Sequence, residues 1–360
     1  MTLSRLMGRA EWKMVGAGER LCRISLGRDA GRTPSLGVVL AAWDPGAASE
    51  SVELVLERLR GLKGVKWSMV VVANNNAVER ALPQNGEHRL MLGSNREAEF
   101  SAYEEGRQYL LAEAGPAPDA WVILNDRLPF YKADCLSGIT PALLQFAASV
   151  PVAAGTVDFL PDYFQFRGRK FRCYIRSNYL LLSAVAIERA GSLCAISADE
   201  YAVHVPAAYP GGDKPLSAWL GWRLGGFLLD FLTKPGARES WTRAEPLTEA
   251  SWPRLRMKAL SIINEWLLSL RLIEAGVPLV PWRLARAMSG LTSSEAFSQR
   301  LLDQYKVDPG FGGAVEPNLQ GRLSLTAAVL AGRAGAPAVG ERFLASAARF
   351  SNEARAVEKR

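Results

Sequence analysis

The 360-residue chain is poor in the residues that build metal and disulfide frameworks. Its four cysteines, Cys22, Cys135, Cys173 and Cys194, form no CxxC pair, so neither a zinc ribbon nor a disulfide scaffold is indicated. A reducing, cytoplasmic setting is the simplest expectation. The two histidines, His88 and His204, are far apart and share no metal-ligand spacing, so both read as structural. No GxSxG, HExxH or Walker-type loop occurs. No window reaches the ~18 apolar residues of a membrane span. The nearest, Trp219 to Leu232, is interrupted by Arg223 and Asp230. The first 23 residues lack an apolar core and do not read as a signal peptide. There is no internal repeat and no basic tract with interleaved aromatics, so a nucleic-acid partner is not expected.

What remains is an ordinary globular composition, with 49% hydrophobic and 22% charged residues. Lys and Arg total 43 against 36 Asp and Glu, a formal charge of +7. That modest excess suits an anionic ligand such as a nucleotide diphosphate, or an anionic membrane surface.

Unbroken apolar runs suggest strands covered on both faces. They are Gly37–Trp43, Lys66–Ala73 and Ala120–Leu124, with a shorter run at Arg89–Leu92. Between them lie helical patterns at Ser49–Leu62, Glu97–Ala114 and Asp134–Ala148. A strand begins at Val152, another spans Tyr174–Leu182, and a helix follows near Ala184–Ala190. Regular alternation predicts a parallel, doubly wound α/β sheet. From Leu216 the texture is helical and rich in tryptophan, with helices expected at Leu255–Ala275 and Ser293–Tyr305. A Gly-rich stretch, 308–321, and an Ala-rich helical tail close the chain. The expected division is an arm or edge strand over 1–33, an α/β domain over 34–215, and a mainly helical extension over 216–360.

Three segments occur in a telling order: WSMVVVANNNA (67–77), GSNREAEFSAYEEGRQYL (93–110) and WVILNDR (121–127). Together they resemble the nucleotide-sugar-binding half of GT-A fold glycosyltransferases of the family 2-like group. Phe171 to Ser183, FRCYIRSNYLLLS, is similar to a segment of the bacterial polysaccharide members, and Lys258–Leu272 to a helix near their C-terminal end. The resemblance covers roughly 36–275. It departs from the pattern at Ala73, where an aspartate is usual, at Glu97 in place of a glycine, and at Gly106, one place late. Arg127 stands where a second carboxylate often sits; an arginine cannot ligate a metal but can pair with a phosphate.

The resemblance implies a GT-A-like (Rossmann-like), mostly parallel sheet flanked by helices. It implies an inverting transfer of sugar from a nucleotide-diphosphate donor to a hydroxyl of a glycan or lipid-linked glycan. The setting would be bacterial surface polysaccharide or lipopolysaccharide synthesis at the inner face of the cytoplasmic membrane. Asp126 would hold the diphosphate, with Mg²⁺ or Mn²⁺ as its partner; the plain structural reading is a capping carboxylate. Asn74 and Asn76, with Asn75 between them, would hold the nucleoside, or form a polar turn. Asn95, Asn125, Arg127 and Arg176 complete the donor-binding set, with Arg96 beside it.

An inverting transfer needs a base for the acceptor hydroxyl. Asp199 and Glu200 are the candidates, with Asp158 and Asp162 competing. Of the basic group Arg167, Arg169, Lys170, Arg172 and Arg176, Arg176 is the better candidate for the diphosphate, because on a strand it points the same way as Tyr174. The Trp-rich region is either core packing or a peripheral membrane surface. Two other classes stay open: a non-catalytic scaffold that binds a glycan or partner glycosyltransferase, and a nucleotidyltransferase. The latter wants a Gly-rich loop after the first strand, where Asp44-Pro45-Gly46 supplies one glycine.

Overall fold

The computed structural model describes residues 33–282, apart from 84–85, 114–115, 132–134, 150, 213–214, 236–240, 242 and 278. The N-terminal arm, Cys22, the Ser293–Tyr305 helix, the Gly-rich 308–321 stretch and the Ala-rich tail lie outside the described residues.

Seven strands form one sheet: β1 (Ser35–Ala42), β2 (Lys66–Ala73), β3 (Arg89–Leu92), β4 (Ala120–Asn125), β5 (Ala153–Phe166), β6 (Arg169–Ser183) and β7 (Leu279–Pro281). Their order is β3-β2-β1-β4-β6-β5-β7. The helices are α1 (Pro45–Arg60), α2 (Asn76–Ala81), α3 (Glu99–Glu113), α4 (Pro141–Ser149), α5 (Ala184–Ala190), α6 (Ala198–His204), α7 (Ser217–Leu220), α8 (Trp222–Thr233) and α9 (Trp252–Glu274). The chain thus forms the expected α/β architecture, a mostly parallel sheet flanked by helices with a helical C-terminal segment. Among the described residues only β6 runs against its neighbours, pairing antiparallel with both β4 and β5.

The two sheet faces explain the apolar runs. Val38, Leu40, Val71, Val122 and Leu124 face one core with Val52, Val55 and Leu59 of α1. Val39, Val70, Val72, Trp121 and Ile123 face the other, with Phe100, Tyr103 and Leu110 of α3 and Leu268 and Leu272 of α9. Both sides of each strand are buried, so alternation vanishes from the sequence. Gly106 lets α3 approach the sheet: a Cβ there would lie 2.5 Å from Val39 Cγ1 and 2.8 Å from Val72 Cγ2.

Boundaries moved where local chemistry was strong. The helix expected over Asp134–Ala148 starts only at Pro141, after a single 3₁₀ turn at Leu136–Gly138. Proline suits a first helical position. Thr140 caps it, its Oγ1 accepting from Leu143 N at 3.1 Å. After Leu216 the chain also returns to the sheet, because α9 packs on β6 and leads into β7 beside β5.

The distal half of the β5–β6 hairpin projects beyond the end of β4. It packs Phe164, Phe166 and Phe171 into a third core with α6, α7, α8 and α9. Trp219 sits in this core against Phe166, Tyr201 and His204, and Trp266 against Phe171, Tyr174 and Phe227. These tryptophans are packing residues, although Trp222 on α8 is 76% exposed. No helix among the described residues is long and apolar enough to cross a membrane.

Candidate functional site at the carboxyl edge of the sheet

In open α/β sheets, ligands bind beyond the carboxyl ends of the parallel strands. Here that edge is set by register. Ala42 pairs with Ala73, and Ala41 with Asn125. One step further, Asn74, Trp43 and Arg127 therefore form a row across β2, β1 and β4.

Asp126 anchors the row. It is 4% exposed. Its Oδ2 accepts from the backbone N–H of Trp43 at 2.6 Å and of Asp44 at 2.7 Å. The carboxylate thereby fixes the turn from β1 into α1. That turn is fixed again by Asp44, whose Oδ1 accepts from Ala47 N at 2.8 Å. Burial pushes the Asp126 carboxyl above its usual range, and Asp44 adds to this; the two N–H donors and Arg127 pull the other way without prevailing. Neighbouring Asn125 accepts from Arg127 N at 3.2 Å. The Arg127 guanidinium lies 5.3 Å from the centre of the Phe130 ring and forms no ion pair with a carboxylate among the described residues.

The three consecutive asparagines divide their labour. Asn75 is structural: its Nδ2 donates to Trp43 O at 2.8 Å, and its Oδ1 caps α2 through Ala77 N and Val78 N. Asn76 is exposed in the first turn of α2. Asn74 is 8% exposed, yet neither its Oδ1 nor its Nδ2 has a hydrogen-bond partner among the described residues. A buried amide in that state is costly unless something else satisfies it. A Cβ on Gly93 would come within 3.0 Å of Asn74 Oδ1, so glycine keeps this corner open.

The loop beyond β3 is held tightly. Ser94 N donates to Glu105 at 2.9 Å. Asn95 and Ala98 both adopt left-handed backbone, with φ of 53° and 52°. For Ala98 that conformation is strained. The Asn95 Oδ1 is buried without a partner among the described residues. Arg96 reaches Asp199 at 2.7 Å, and Glu97 accepts from Ala198 N at 2.8 Å, which docks the first turn of α6 on this loop.

Because β6 runs in reverse, its middle meets the edge. Leu124 pairs with Tyr179, which places Ser177 and Asn178 level with Asp126 and Asn125. The Asn178 Oδ1 is also buried and unpartnered among the described residues. Ser177 is gripped from three sides. Tyr103 Oη donates to its carbonyl at 2.9 Å, Glu265 accepts from its N–H, and its Oγ lies 3.4 Å from Glu99. Arg176 is ion-paired with Asp158, which also accepts from Tyr174 Oη at 3.3 Å.

The residues expected from sequence do not all converge. Asn74, Asn125, Asp126, Arg127 and Arg176 lie along the edge, with Asn95 on its flanking loop. Asp199 and Glu200 sit in the first turn of α6, paired with Arg96 and Arg167. The side chains of Asp162, Lys170 and Arg172 lie outside the described residues.

Sequence reasoning missed Glu99, Ser177 and Glu265. The signal was present in α9: Ser261, Glu265 and Ser269 recur every four residues, one polar stripe in an apolar helix that faces the sheet. Ser261 Oγ donates to Glu99 at 2.8 Å, and Ser269 Oγ accepts from Ile175 N at 3.0 Å.

A protein-held metal fits this edge poorly. Asp126 spends one oxygen on two N–H groups, and Asp44 spends one on capping α1. Among the described residues no three His, Cys, Asp or Glu side chains gather as a ligand set.

No protein-family model matches the chain, and comparison with curated protein sequences finds no match. Among solved structures, a mannosyltransferase from Pyrobaculum calidifontis in complex with GDP-mannose and Mn²⁺ is similar over 92% of this chain and 96% of its own. The identity is 14% and the TM-score 0.31. A 4-diphosphocytidyl-2C-methyl-D-erythritol synthase is similar over 64% of this chain and 99% of its own, at 15% identity and a TM-score of 0.24. Likeness at this level carries no weight for substrate or chemistry.

Proposed function

We propose that the chain transfers a sugar from a nucleotide-diphosphate donor to a hydroxyl of a glycan acceptor, with inversion at the anomeric carbon. The observation that carries this reading is the row at the carboxyl edge. At one end is the buried amide of Asn74, with an unpartnered donor and an unpartnered acceptor; at the other is the guanidinium of Arg127, with no carboxylate ion-paired to it among the described residues. The strands that lead to them, β2 and β4, lie two strand spacings apart, roughly 10 Å. An amide suits a nucleobase or ribose edge, and a guanidinium suits a phosphate. Asn95 and Asn178, each with an unpartnered oxygen, add hydroxyl-binding groups for ribose or sugar.

Arg127 neutralises charge on the departing diphosphate, the electrostatic role that such transfers require. Asp126 acts by holding the β1–α1 turn in place. The resemblance of 171–183 to polysaccharide enzymes supports a bacterial surface polysaccharide or lipopolysaccharide as the acceptor. A second reading, a non-catalytic scaffold that binds glycan, is favoured by one observation: Asp126, Asp199 and Glu200 are all engaged within the protein.

Calorimetric titration with UDP, GDP, CDP and dTDP, each with and without Mn²⁺, tests the proposal. One nucleotide is expected to bind, and Arg127→Ala to weaken it at least about tenfold, since a charge-assisted contact contributes about 1.5–3 kcal/mol. Binding that ignores Arg127→Ala, or no binding at all, would remove the basis for a donor site.

A further inference from the structure

The polar cluster between α3, β6 and α9 holds two carboxylates, Glu99 and Glu265. Glu265 lies in it, on a helix whose other sheet-facing residues are mostly apolar. Its carboxylate accepts from Ser177 N, and Ser177 sits level with Asp126 at the strand edge. Glu265 is half-buried rather than fully enclosed. The charged and titratable groups around it are Glu99 and Tyr103 of α3, Asp158 of β5, Tyr174 and Arg176 of β6, and Lys258 of its own helix. Lys258 is held nearby by a 3.3 Å contact to Ser261 Oγ. Asp158 is already committed to Arg176. Asp199 and Glu200 lie on α6 with an arginine each. Glu265 is thus a carboxylate at this edge that is neither ion-paired among the described residues nor tied to the β1–α1 turn.

We propose that Glu265 is the catalytic base that takes the proton of the acceptor hydroxyl, an inference that rests on the sugar-transfer reading above. The acceptor oxygen attacks the anomeric carbon as its proton passes to a Glu265 oxygen. The bond from anomeric carbon to phosphate oxygen breaks, and its electron pair leaves with the nucleoside diphosphate. Glu265, now a carboxylic acid, returns its proton to water. The surroundings of Glu265 suit proton transfer, because burial pushes the carboxyl up to about 7, against Ser177 and Lys258, with Glu99 adding to the rise. A base poised near the working pH transfers protons best.

Glu99 and Lys258 are positioning residues that set this poise with opposite signs. Removing the Glu99 charge lowers the point at which Glu265 ionises; removing the Lys258 charge raises it. The experiment uses the full-length protein and the sugar donor of whichever nucleotide binds, with donor turnover followed as release of nucleoside diphosphate. Glu265→Gln is expected to keep donor affinity within about threefold and to lose at least about 100-fold in kcat. In the wild type kcat rises with pH along one acidic limb near neutrality. Glu99→Gln should move that limb to lower pH and Lys258→Met to higher pH.

Turnover by Glu265→Gln above a tenth of wild type overturns the proposal, as does a limb unmoved by both neighbour variants. If Glu265→Gln does not fold, the opposed shifts of the neighbour variants decide alone. Failure of every donor to bind the wild type sinks the sugar-transfer reading itself. Donor turnover that is indifferent to Glu265 sinks only this inference.

Discussion

Replacing Asp126 separates a structural carboxylate from a ligand-holding one. Asp126→Ala strips the acceptor from two backbone N–H groups, those of Trp43 and Asp44. A buried donor left unsatisfied costs about 1–3 kcal/mol. Trp43 is half-buried and Asp44 exposed, so water relieves part of the second loss. A net loss of about 2–3 kcal/mol follows, or roughly 4–12 °C in Tm at the 2–4 °C per kcal/mol of a protein region this size. Asp126→Asn keeps an oxygen for both donors and removes a charge that burial already disfavours, so it should stay within about 1 kcal/mol of wild type. The sign with pH follows from the raised carboxyl. Folded Asp126 holds its proton to higher pH than unfolded Asp126, so its ionisation weakens the fold as pH rises above the ordinary carboxylate range. Asp126→Asn, lacking that loss, should gain on wild type along the same climb. Urea unfolding of the three proteins across mildly acidic pH reads both effects. An alanine variant as stable as the asparagine variant would refute the account of Asp126 as the organiser of this turn.

Asn74→Leu should raise Tm by a few degrees while abolishing nucleotide binding in calorimetry, because it removes a buried amide that has no partner among the described residues; a destabilised variant would mean the amide is satisfied after all. Gly106→Ala should cost about 1–3 kcal/mol by thermal melt, since its Cβ would meet Val39 and Val72 inside normal contact distance; an unchanged melt would show that α3 can lift from the sheet without penalty.

The parallel half of the fold was legible because its strands are buried on both faces, which writes VVLAA, VVVA and WVIL directly into the sequence. The edge residues followed, since each apolar run stops at a polar residue. The β5–β6 hairpin was harder: its distal half leaves the sheet and packs on helices, so its pattern mixes Phe164, Phe166 and Phe171 with charged residues. Thr140 and Pro141 were a usable start signal that an apolar count over 134–148 hid. Glu265 was half legible: the four-residue stripe it shares with Ser261 and Ser269 marks a face of α9 but not what that face meets. Its partner Ser177 lies 88 residues away, and nothing local distinguishes a glutamate aimed at a strand from one aimed at water. Asp199 and Glu200 were candidates because the resemblance calls for an acidic residue from the far half of the sheet; what the sequence could not show is that each pairs with an arginine from a different loop.

The reversed course of β6 also divides the edge by how readily it opens. Ser177 lies in β6, in the middle of the sheet order, with its N–H held by Glu265 of α9 and its carbonyl by Tyr103 of α3, so its amide exchanges with solvent only when the strand parts from both helices. The loop at 93–98 has no strand beyond it among the described residues, carries backbone strain at Ala98, and is held through side chains, Ser94 on Glu105 and Arg96 and Glu97 on α6, rather than by a strand ladder. One wall of the crevice is therefore slow and the other quick. A ligand that orders this edge would slow exchange on the loop side and leave the β6 side as it was.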